Sequence, residues 1–346
     1  MMEPQINNAL GLEESTAVMR QKVLRLAGPA IVENLLHTMV GVVDTAMVGR
    51  LGAYALAAVG LANQIFNISL TVFAALATGS TALVARFIGA NEKEEAAEVA
   101  RQSLVMGFAL AGSLLVILVS FGPTILRLLF RRSEEAVLYH GGVYVRIVAS
   151  ALILNFILII INAILRGAGD TQTPMRITAL VNGTNIVLNA LLIYGLGPFP
   201  ALGVAGAAMA TAIAQGLGGV LALRKLFTND LLRVRISDSF RPNMLMIKRI
   251  MNIGVPAGIE QGIMRVAQLV YTMVVSSLGT VAYAAHQVAL NAESLSFMPG
   301  AGFAVAATTL VGQSLGADRP DEAQRAGYMS RSLAVLVLSI MGAIFF

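Results

Sequence analysis

Nine long apolar stretches restrict the fold of this 346-residue chain more than any other feature. Each contains about 20 residues or more, which is enough for a helix to cross the hydrocarbon core of a bilayer. Lipid offers the backbone no hydrogen-bond partner, so segments of this length are stable there as helices. The sequence therefore predicts an all-α, polytopic membrane protein. The predicted spans are residues 26–48, 55–86, 95–122, 136–165, 173–195, 202–225, 248–276, 281–314 and 322–346.

Composition excludes several classes of protein. Only 12% of the residues are charged and 57% are hydrophobic, whereas a soluble domain has about 25% charged residues. The chain contains no cysteine, which excludes disulfides and thiolate metal sites. The net charge of +5 does not indicate a nucleic-acid partner, because the basic residues lie in the short loops between apolar stretches, where they set orientation.

The distribution of basic residues predicts how the chain is oriented in the membrane. With the N-terminus on the cytoplasmic side, eighteen Lys and Arg residues fall on that side and five on the other, in agreement with the positive-inside rule. Residues 1–25 are then a cytoplasmic N-terminal segment, and the polar residues 228–247 are a cytoplasmic linker. We expect a monomeric, multi-pass protein of the plasma membrane, in contact with the lipid bilayer.

The second part of the chain repeats the first at a constant offset of 227 residues. The recurring residues are Pro29-Ala30, Glu33, Leu51-Gly52 and Gly89-Ala90-Asn91, which return as Pro256-Ala257, Glu260, Leu278-Gly279 and Gly316-Ala317-Asp318. Tandem helical repeats around a central site are typical of secondary transporters. The pattern predicts a six-helix lobe over residues 26–227. It also predicts a second, incomplete lobe over residues 248–346, without counterparts of the last three helices, as in a truncated chain.

Three ionisable residues share one face of the first predicted span. Glu33, His37 and Asp44 lie within about 40° of one another at 100° per residue. Ionisable groups inside spans are costly and mark functional sites, so this stripe is expected to face the bundle interior or a watery cavity. Asp44 corresponds to Tyr271 in the repeat and is the candidate for binding a cation or proton. The alternative is a structural carboxylate bonded to neighbouring amides and hydroxyls.

The remaining ionisable candidates are distributed over both lobes. Glu33 and Glu260 each follow a proline by four residues, so they are candidates for ligand binding or for satisfying backbone groups freed by the proline. His286 and Glu293 are seven residues apart and share a helical face. Arg265 is a candidate to pair with Glu293 or Glu260, and the alternative role of these charges is an internal salt bridge.

Polar amides form a further stripe on the fifth predicted span. Asn182, Asn185 and Asn189 are three and four residues apart, which favours either a binding surface or interhelical hydrogen bonds. The sequence contains no Walker loop, no dinucleotide-binding glycine fingerprint and no His-Glu-x-x-His motif, and it has three histidines. We therefore expect a protein that is not an enzyme and needs no cofactor; Na⁺ is a candidate coupling ion, and H⁺ is the alternative.

Three segments carry recognisable motifs: Val43-Asp44-Thr45, the run LRGAGDTQTP from Leu165 to Pro174, and Ala285-His286-Gln287. Together they resemble motifs of the MATE (multidrug and toxic compound extrusion) family. The resemblance covers about residues 20–346. It implies a twelve-helix protein of two six-helix lobes with cytoplasmic termini, which exports organic cations in exchange for Na⁺ or H⁺.

The resemblance also assigns roles to residues. Asp44 matches the acidic residue of the family's first helix, which couples the cation. In one branch an Asn and an Asp four residues later on the fifth helix join that site. Asn185 matches the Asn, but Asn189 occupies the Asp position. Another branch has a seventh-helix Glu eight residues after the proline; that position is Met264 here, and the nearest acid is Glu260.

The candidate cation-coupling residues are therefore Asp44, Asn185 and Asn189. Further candidates for substrate binding or coupling are Glu33, His37, Glu260, Arg265, His286, Glu293 and Thr211, the last of which corresponds to a threonine of the family's sixth helix. We interpret the chain as a secondary-active multidrug efflux transporter. One alternative is a lipid-linked oligosaccharide flippase of the same superfamily, for which we would expect a more cationic cavity. The other is a truncated, non-transporting membrane remnant.

Overall fold

The computed structural model describes the backbone of residues 3–131, 133–196, 198–229, 232, 234, 240–277 and 279–344, and the side chains in these ranges except those of 3–15 and part of 269–296. Within these residues all regular secondary structure is helical. The helices are α1 (Glu3–Gly49), α2 (Ala53–Gly89), α3 (Lys93–Leu129), α4 (Glu135–Ser150), α5 (Leu152–Gly167), α6 (Gln172–Tyr194), α7 (Val204–Phe227), α8 (Met244–Ser277), α9 (Thr280–Gly316) and α10 (Pro320–Ile344). We call α1–α7 the first lobe and α8–α10 the second lobe.

Nine predicted spans correspond to ten helices because the fourth span is broken. Helices α4 and α5 meet at Ala151 with a bend of 56°. There the Ala151 N–H donates to the Val148 carbonyl, three residues back, and the Ser150 hydroxyl donates to the Ile147 carbonyl at 2.6 Å. Bonds of this short register tighten the end of α4. No proline or glycine marks the break, so the apolar pattern alone did not predict it.

Length and hydropathy support the predicted membrane class. Within the described residues six helices are long and apolar enough to cross a bilayer, and α4 with α5 forms a seventh span if the bent pair is counted as one. Helices α8 and α9, whose side chains are described only in part, are not among them. Helix α1 runs without a break from Glu3 through Pro29 to Gly49, so it begins well before the predicted boundary at residue 26. The all-α, polytopic class is confirmed.

The duplication is visible in the turns on either side of α2 and α9. Gly52 and Gly279, which precede these helices, have φ angles of 111° and 106°. Asn91 and Asp318, which follow them, have left-handed φ angles of 60° and 57°. In both copies the N–H of the following residue, Glu92 or Arg319, donates to the carbonyl five residues earlier, as in a Schellman motif. Asn and Asp tolerate the left-handed conformation better than other side chains do, which explains their recurrence at this position.

The lobes contact each other through residue pairs that are copies of one another. A Cβ atom on Gly316 would lie 1.8 Å from the Arg86 carbonyl oxygen, and one on Gly89 would lie 1.9 Å from the Gln313 carbonyl oxygen. Arg86 and Gln313 are separated by 227 residues, as are Gly89 and Gly316. If residue i of one lobe contacts residue j of the other, the equivalent of j in the first lobe contacts the equivalent of i in the second. This reciprocity is the property of a two-fold interface. The tandem repeat predicted from the sequence is therefore a repeat in three dimensions.

A second set of contacts between the lobes also relates equivalent residues of the two copies. Gly254 packs against the Ala75 carbonyl, and Gly302 packs against the Ala27 carbonyl; a Cβ atom on these glycines would lie 2.7 and 3.1 Å from the respective carbonyl oxygens. Small residues at these positions allow the backbones of α2 and α8, and of α1 and α9, to approach closely. All four contacts lie toward the helix ends that carry the basic loops, the side predicted to face the cytoplasm.

Apolar packing is concentrated in the first lobe. Its core also includes Met246 and Ile250 from α8. A smaller cluster joins Val23 and Leu26 of α1 to Phe303 of α9, together with neighbours on α9 and α10. The two clusters show that each part of the chain buries surface of the other, in addition to its own core.

The predicted linker, residues 228–247, lies partly outside the described residues. Its end is held by α3, where the Gln102 side chain donates to the Arg241 carbonyl at 2.8 Å and accepts the Asn243 N–H at 3.0 Å. The Asn243 side chain in turn accepts the N–H groups of Leu245 and Met246, both at 3.2 Å, which caps the start of α8. The domain boundaries themselves stay predictions.

The close glycine contacts predict a difference between alanine variants. Gly89→Ala and Gly316→Ala place a methyl group against a backbone oxygen, so each is expected to cost about 1–3 kcal/mol through overpacking. Gly112→Ala is the matched control, because a Cβ atom there meets nothing within 4 Å, and alanine is favoured over glycine in a helix. Thermal unfolding in detergent micelles measures both. Equal midpoints for Gly89→Ala and Gly112→Ala would contradict the close contact.

Candidate functional site

Helices α1 and α6 are joined by polar side chains along their shared seam. The Asn182 side chain donates to the Leu36 carbonyl at 2.7 Å, and the Tyr194 hydroxyl donates to the Met47 carbonyl at 2.8 Å. Between them, the Asn189 amide donates to Asp44 Oδ1 at 2.6 Å. Such groups are costly in hydrocarbon unless partners are found within the protein. The asparagine stripe predicted from spacing therefore makes interhelical hydrogen bonds and fixes α1 against α6.

The predicted cation-coupling residues belong to one hydrogen-bonded chain. Asn189 Nδ2, bonded to Asp44, also donates to Asn185 Oδ1 at 2.9 Å. Asn185 Nδ2 then lies 3.4 Å from the Thr211 hydroxyl, which donates to the Ala207 carbonyl of its own helix. Asn185 and Asn189 are buried, whereas Asp44 and Thr211 are partly buried. Residues from α1, α6 and α7 that are far apart in sequence thus meet at one place.

A cavity of about 330 Å³ opens beside this chain of residues. Asp44, Thr45, Asn189 and Thr211 line it together with Tyr144 of α4. The other lining residues, from α1, α2 and α7, are Gly41, Val48, Leu56, Val59, Gly60, Asn63 and Ala207. The wall therefore combines one carboxylate, several hydroxyls and amides, and apolar side chains.

One polar atom in the site has no partner. Asn189 Oδ1 is buried and accepts no hydrogen bond, although its own amide nitrogen is used twice. An unsatisfied buried acceptor next to a carboxylate is the place where a cation or a donor is expected. The described residues contain no group of three or more His, Cys, Asp or Glu that would hold a transition metal. The oxygen atoms of Asp44, Asn189 and Thr211 fit a hard cation or a proton instead.

The segment LRGAGDTQTP forms the turn between α5 and α6. Gly169, at φ 92°, follows the end of α5, and the Asp170 N–H bonds back to the Leu165 carbonyl at 2.9 Å, which ends the helix as a Schellman motif does. The Asp170 carboxylate then accepts the Thr173 N–H at 2.9 Å and the Thr173 hydroxyl at 2.6 Å. The geometry of the turn therefore explains Gly169 and Asp170 of this motif.

Glu33 has a partner that sequence reasoning did not identify. Its carboxylate accepts a hydrogen bond from Arg166 Nη1 at 2.9 Å, and 4% of the Glu33 side chain and 22% of the Arg166 side chain are exposed. The expectation that Glu33 compensates the backbone at Pro29 is thus replaced by an ion pair between α1 and α5. His37, on the same stripe, has an exposed side chain, so the stripe is not uniformly buried.

The ionisable residues of the second lobe are arranged differently from expectation. Glu260, Arg265 and Glu293 are exposed, and none of them takes part in an ion pair within the described residues. The candidate pairing of Arg265 with Glu293 or Glu260 is therefore not formed within the described residues. His286 packs its ring 5.1 Å from that of Tyr271, and its Nε2 atom has no hydrogen-bond partner.

Sequence reasoning missed Tyr144 and Arg166. Tyr144 belongs to the broken fourth span, where an isolated tyrosine carries no signal of a site. Arg166 lies within the quoted LRGAGDTQTP motif, and a basic residue at a span end was counted only toward orientation. Arg166 lies at the cytoplasmic end of its predicted span, and Glu33 lies seven residues from the cytoplasmic end of the first span. Their shared position toward that side was the signal that two opposite charges could meet.

A duplicated helical bundle with a buried polar site defines the class of polytopic membrane proteins built from tandem repeats. The MatE family model matches residues 29–191 and 256–346, well over half of the chain. The chain therefore belongs to the MatE family. The two matched segments begin at the repeated prolines Pro29 and Pro256, which agrees with the duplication.

Relatives of the chain carry names that refer to drug resistance. It is 33% identical over 301 residues to the probable multidrug resistance protein NorM of Thermotoga maritima, in an alignment that covers 87% of this chain and 64% of that protein. It is 30% identical over 321 residues to the multidrug resistance protein NorM of Burkholderia vietnamiensis, covering 92% and 69% of the two chains. The chain thus spans about two thirds of the length of these relatives.

Solved structures show the same fold. One, an outward-facing conformation of a multidrug resistance MATE family transporter of the MOP superfamily, gives a TM-score of 0.86 at 26% identity and covers 94% of this chain and 72% of that one. A MOP superfamily transporter from Pyrococcus furiosus gives a TM-score of 0.82 at 25% identity, with 92% and 70% covered. These values confirm the recognition made from the sequence motifs.

The bond between Asp44 and Asn189 predicts energetic coupling in a double-mutant cycle. Asp44→Ala and Asn189→Ala are expected to be non-additive by about 1 kcal/mol, a value usual for polar contacts inside membranes. Unfolding in mixed micelles with increasing SDS measures each variant. The control pairs Asp44→Ala with Ser113→Ala, because Ser113 bonds only within α3, and should be additive within about 0.5 kcal/mol. Equal coupling in the two cycles would contradict the contact.

Proposed function

We propose that this chain acts as a secondary-active multidrug efflux transporter that exchanges organic cations or other drugs for Na⁺ or H⁺. The observation that carries the proposal is the Asp44 carboxylate, which lies in a cavity and is bonded to Asn189. A carboxylate in a span is costly to keep, and no arginine or lysine neutralises it in the described residues. A mobile cation or proton is the partner that this position lacks.

The surroundings of Asp44 support exchange of an ion rather than permanent binding. The site offers one carboxylate, the free Oδ1 of Asn189 and the Thr211 hydroxyl, which is few ligands for a tightly held metal. A weakly held ion can leave when the helices around it move. The three elements that supply these groups are α1, α6 and α7, so a shift of α1 against α6 changes the number of oxygen ligands.

Transport requires the ion to have different affinities in the two states of the protein. In the proposed cycle, Na⁺ or H⁺ enters the Asp44 site from outside and stabilises the packing of α1 in which all the oxygen ligands are close. Substrate is released as that packing becomes dominant. An ion with equal affinity for both states would couple nothing. The apolar wall of the cavity, with Val48, Leu56 and Val59, suits the apolar parts of a drug.

The proposal includes a location and an orientation. We place the protein in the plasma membrane with the N-terminus in the cytoplasm, on the basis of the distribution of Lys and Arg. We propose that it works as a monomer, without a resident cofactor and without enzymatic chemistry. The names of the relatives, which refer to multidrug resistance, support the substrate class.

Asp44→Asn is expected to abolish ion-driven efflux. Asparagine keeps the size of the side chain but removes the charge, so the ion loses its main ligand and the free-energy coupling disappears. Efflux of ethidium from proteoliposomes under an imposed gradient measures the loss. Asp321→Asn is the matched control, because Asp321 is exposed in the first turn of α10, and it should transport at the parent rate. Parent-rate efflux by Asp44→Asn would end the proposal.

The coupling ion is decided by imposing one gradient at a time. A Na⁺ gradient at equal pH and a pH gradient at equal Na⁺ are applied to proteoliposomes that contain the chain. The oxygen ligands beside Asp44, with the unsatisfied Asn189 Oδ1, lead us to expect that the Na⁺ gradient drives efflux. Efflux with the pH gradient alone would assign H⁺ instead.

A further inference from the structure

Arg166 touches both lobes through different parts of the same residue. Its guanidinium group donates to Glu33 on α1 at 2.9 Å. Its backbone carbonyl accepts the hydroxyl of Thr309 on α9 at 2.9 Å, and the next carbonyl, of Gly167, accepts the Gln313 amide at 3.2 Å. The end of α5 is thus fixed to α1 by a side chain and to the second lobe by its main chain.

The main-chain contacts follow from the way α5 ends. The turn that follows α5 supplies backbone donors to the Leu165 and Arg166 carbonyls, from the Asp170 N–H at 2.9 Å and the Gly169 N–H at 3.0 Å. A carbonyl has two lone pairs, so side-chain donors from other helices bond to carbonyls at this end of α5 as well. Thr81 of α2 supplies one, to the Ala163 carbonyl at 2.9 Å. Thr309 and Gln313 supply two more from the second lobe. Thr309 is fully buried, so its hydroxyl has no access to water if the lobes stay together.

The side-chain contact is a largely buried ion pair. The Glu33 side chain is 4% exposed, so removal of the arginine charge would leave a carboxylate without compensation, which is strongly unfavourable. The pair therefore keeps α1 and the end of α5 together whenever either of them moves. Asp44 lies eleven residues further along α1, about 16 Å at the rise of an α-helix.

The repeat allows the α1 positions of this arrangement to be compared with those of α8. The counterpart of Glu33 is Glu260, which is exposed and has no ion pair in the described part of the chain. The counterpart of Asp44 is Tyr271, which cannot bind a cation as a carboxylate does. Helices α1 and α8, which are copies of each other, therefore differ at both of these positions.

We propose that Glu33 and Arg166 are positioning residues that couple occupancy of the Asp44 site to the contact between the lobes. Helix α1 carries Asp44 and Glu33. When ion binding shifts α1 against α6, the ion pair moves the end of α5, whose carbonyls hold or release Thr309 and Gln313. The inference rests on the proposed function, because it requires an ion at Asp44. It adds the route by which that ion affects the second lobe.

The absence of cysteine makes a clean distance measurement available. Glu95→Cys in α3 and Gln324→Cys in α10 place one spin label on each lobe, at exposed positions near the contact. Pulsed electron resonance in nanodiscs gives the distribution of distances between the lobes with and without Na⁺, and at two pH values. We call this double-cysteine variant the parent, and we expect two distance populations, one for each packing of the lobes. The ion is expected to change the ratio of these populations at least about fivefold, the lower end of usual allosteric coupling.

A second readout reports the ion site by itself. Dicyclohexylcarbodiimide modifies buried carboxyl groups, and mass spectrometry of the peptide that contains Asp44 measures its modification. Protection by Na⁺, or dependence on pH, shows that the ion interacts with Asp44. If the parent shows neither, the proposed function fails, and that failure is distinguishable from failure of the inference.

The variant Glu33→Gln removes the charge of the pair and is expected to separate the two readouts. Asp44 should still be protected, while the change in distance populations falls below about twofold. Glu135→Gln is the matched control, because Glu135 forms an exposed ion pair with Arg127 far from the contact, and it should behave as the parent. The exchange of charges in Glu33→Arg with Arg166→Glu should restore part of the ion-dependent change.

Two results would overturn the inference. The first is an ion-dependent change of parent size in Glu33→Gln, which would give the ion pair a purely structural role. The second uses Thr309→Val together with Gln313→Leu, which removes both side-chain donors to the carbonyls at the end of α5 and leaves the ion pair intact. This double variant also tests the inference if Glu33→Gln does not fold. An unchanged response to the ion in the double variant would show that the carbonyl contacts do not transmit it.

Discussion

The rule that a polar group in hydrocarbon must find its partner within the protein governs this structure. It makes every long segment a helix, and it accounts for the bonds that join the helices. Asn182, Asn189 and Tyr194 of α6 donate to groups on α1, and Thr81 donates to a carbonyl at the end of α5. Among the buried polar atoms that have no partner in the described residues, Asn189 Oδ1 is the one that lies beside Asp44 at the proposed ion site.

The duplication determines how the two lobes pack against each other. Copies of the same backbone approach, Gly89 with Gln313 and Gly316 with Arg86, hold the lobes together at one end. Because these contacts are made by glycine and by main-chain oxygen, they tolerate divergence elsewhere in the two copies. The copies have diverged where chemistry is expected, with a carboxylate at position 44 and a tyrosine at position 271.

Much of the fold was predictable, and particular residues show where prediction stopped. The helical class follows from apolar length, and the positions of Asn91 and Asp318 follow from turn chemistry. The grouping of Asp44, Asn185, Asn189 and Thr211 was proposed from a resemblance, and the structure brings them together, although their roles in coupling stay predictions. The bend at Ala151 was not predicted, because it depends on two short-range hydrogen bonds rather than on a helix-breaking residue. Neither candidate partner of Arg265 forms an ion pair with it in the described residues.

The sequence by itself determined that this chain is a duplicated bundle of membrane helices and that a carboxylate lies on the inward stripe of the first one. Periodicity and apolar length are local properties, and lipid permits few alternatives. Only the tertiary structure decided that Glu33 pairs with Arg166 and that the same arginine meets Thr309 of the other lobe. Partners separated by more than a hundred residues are selected by the packing of helices, and no local pattern in the chain encodes the distance between them.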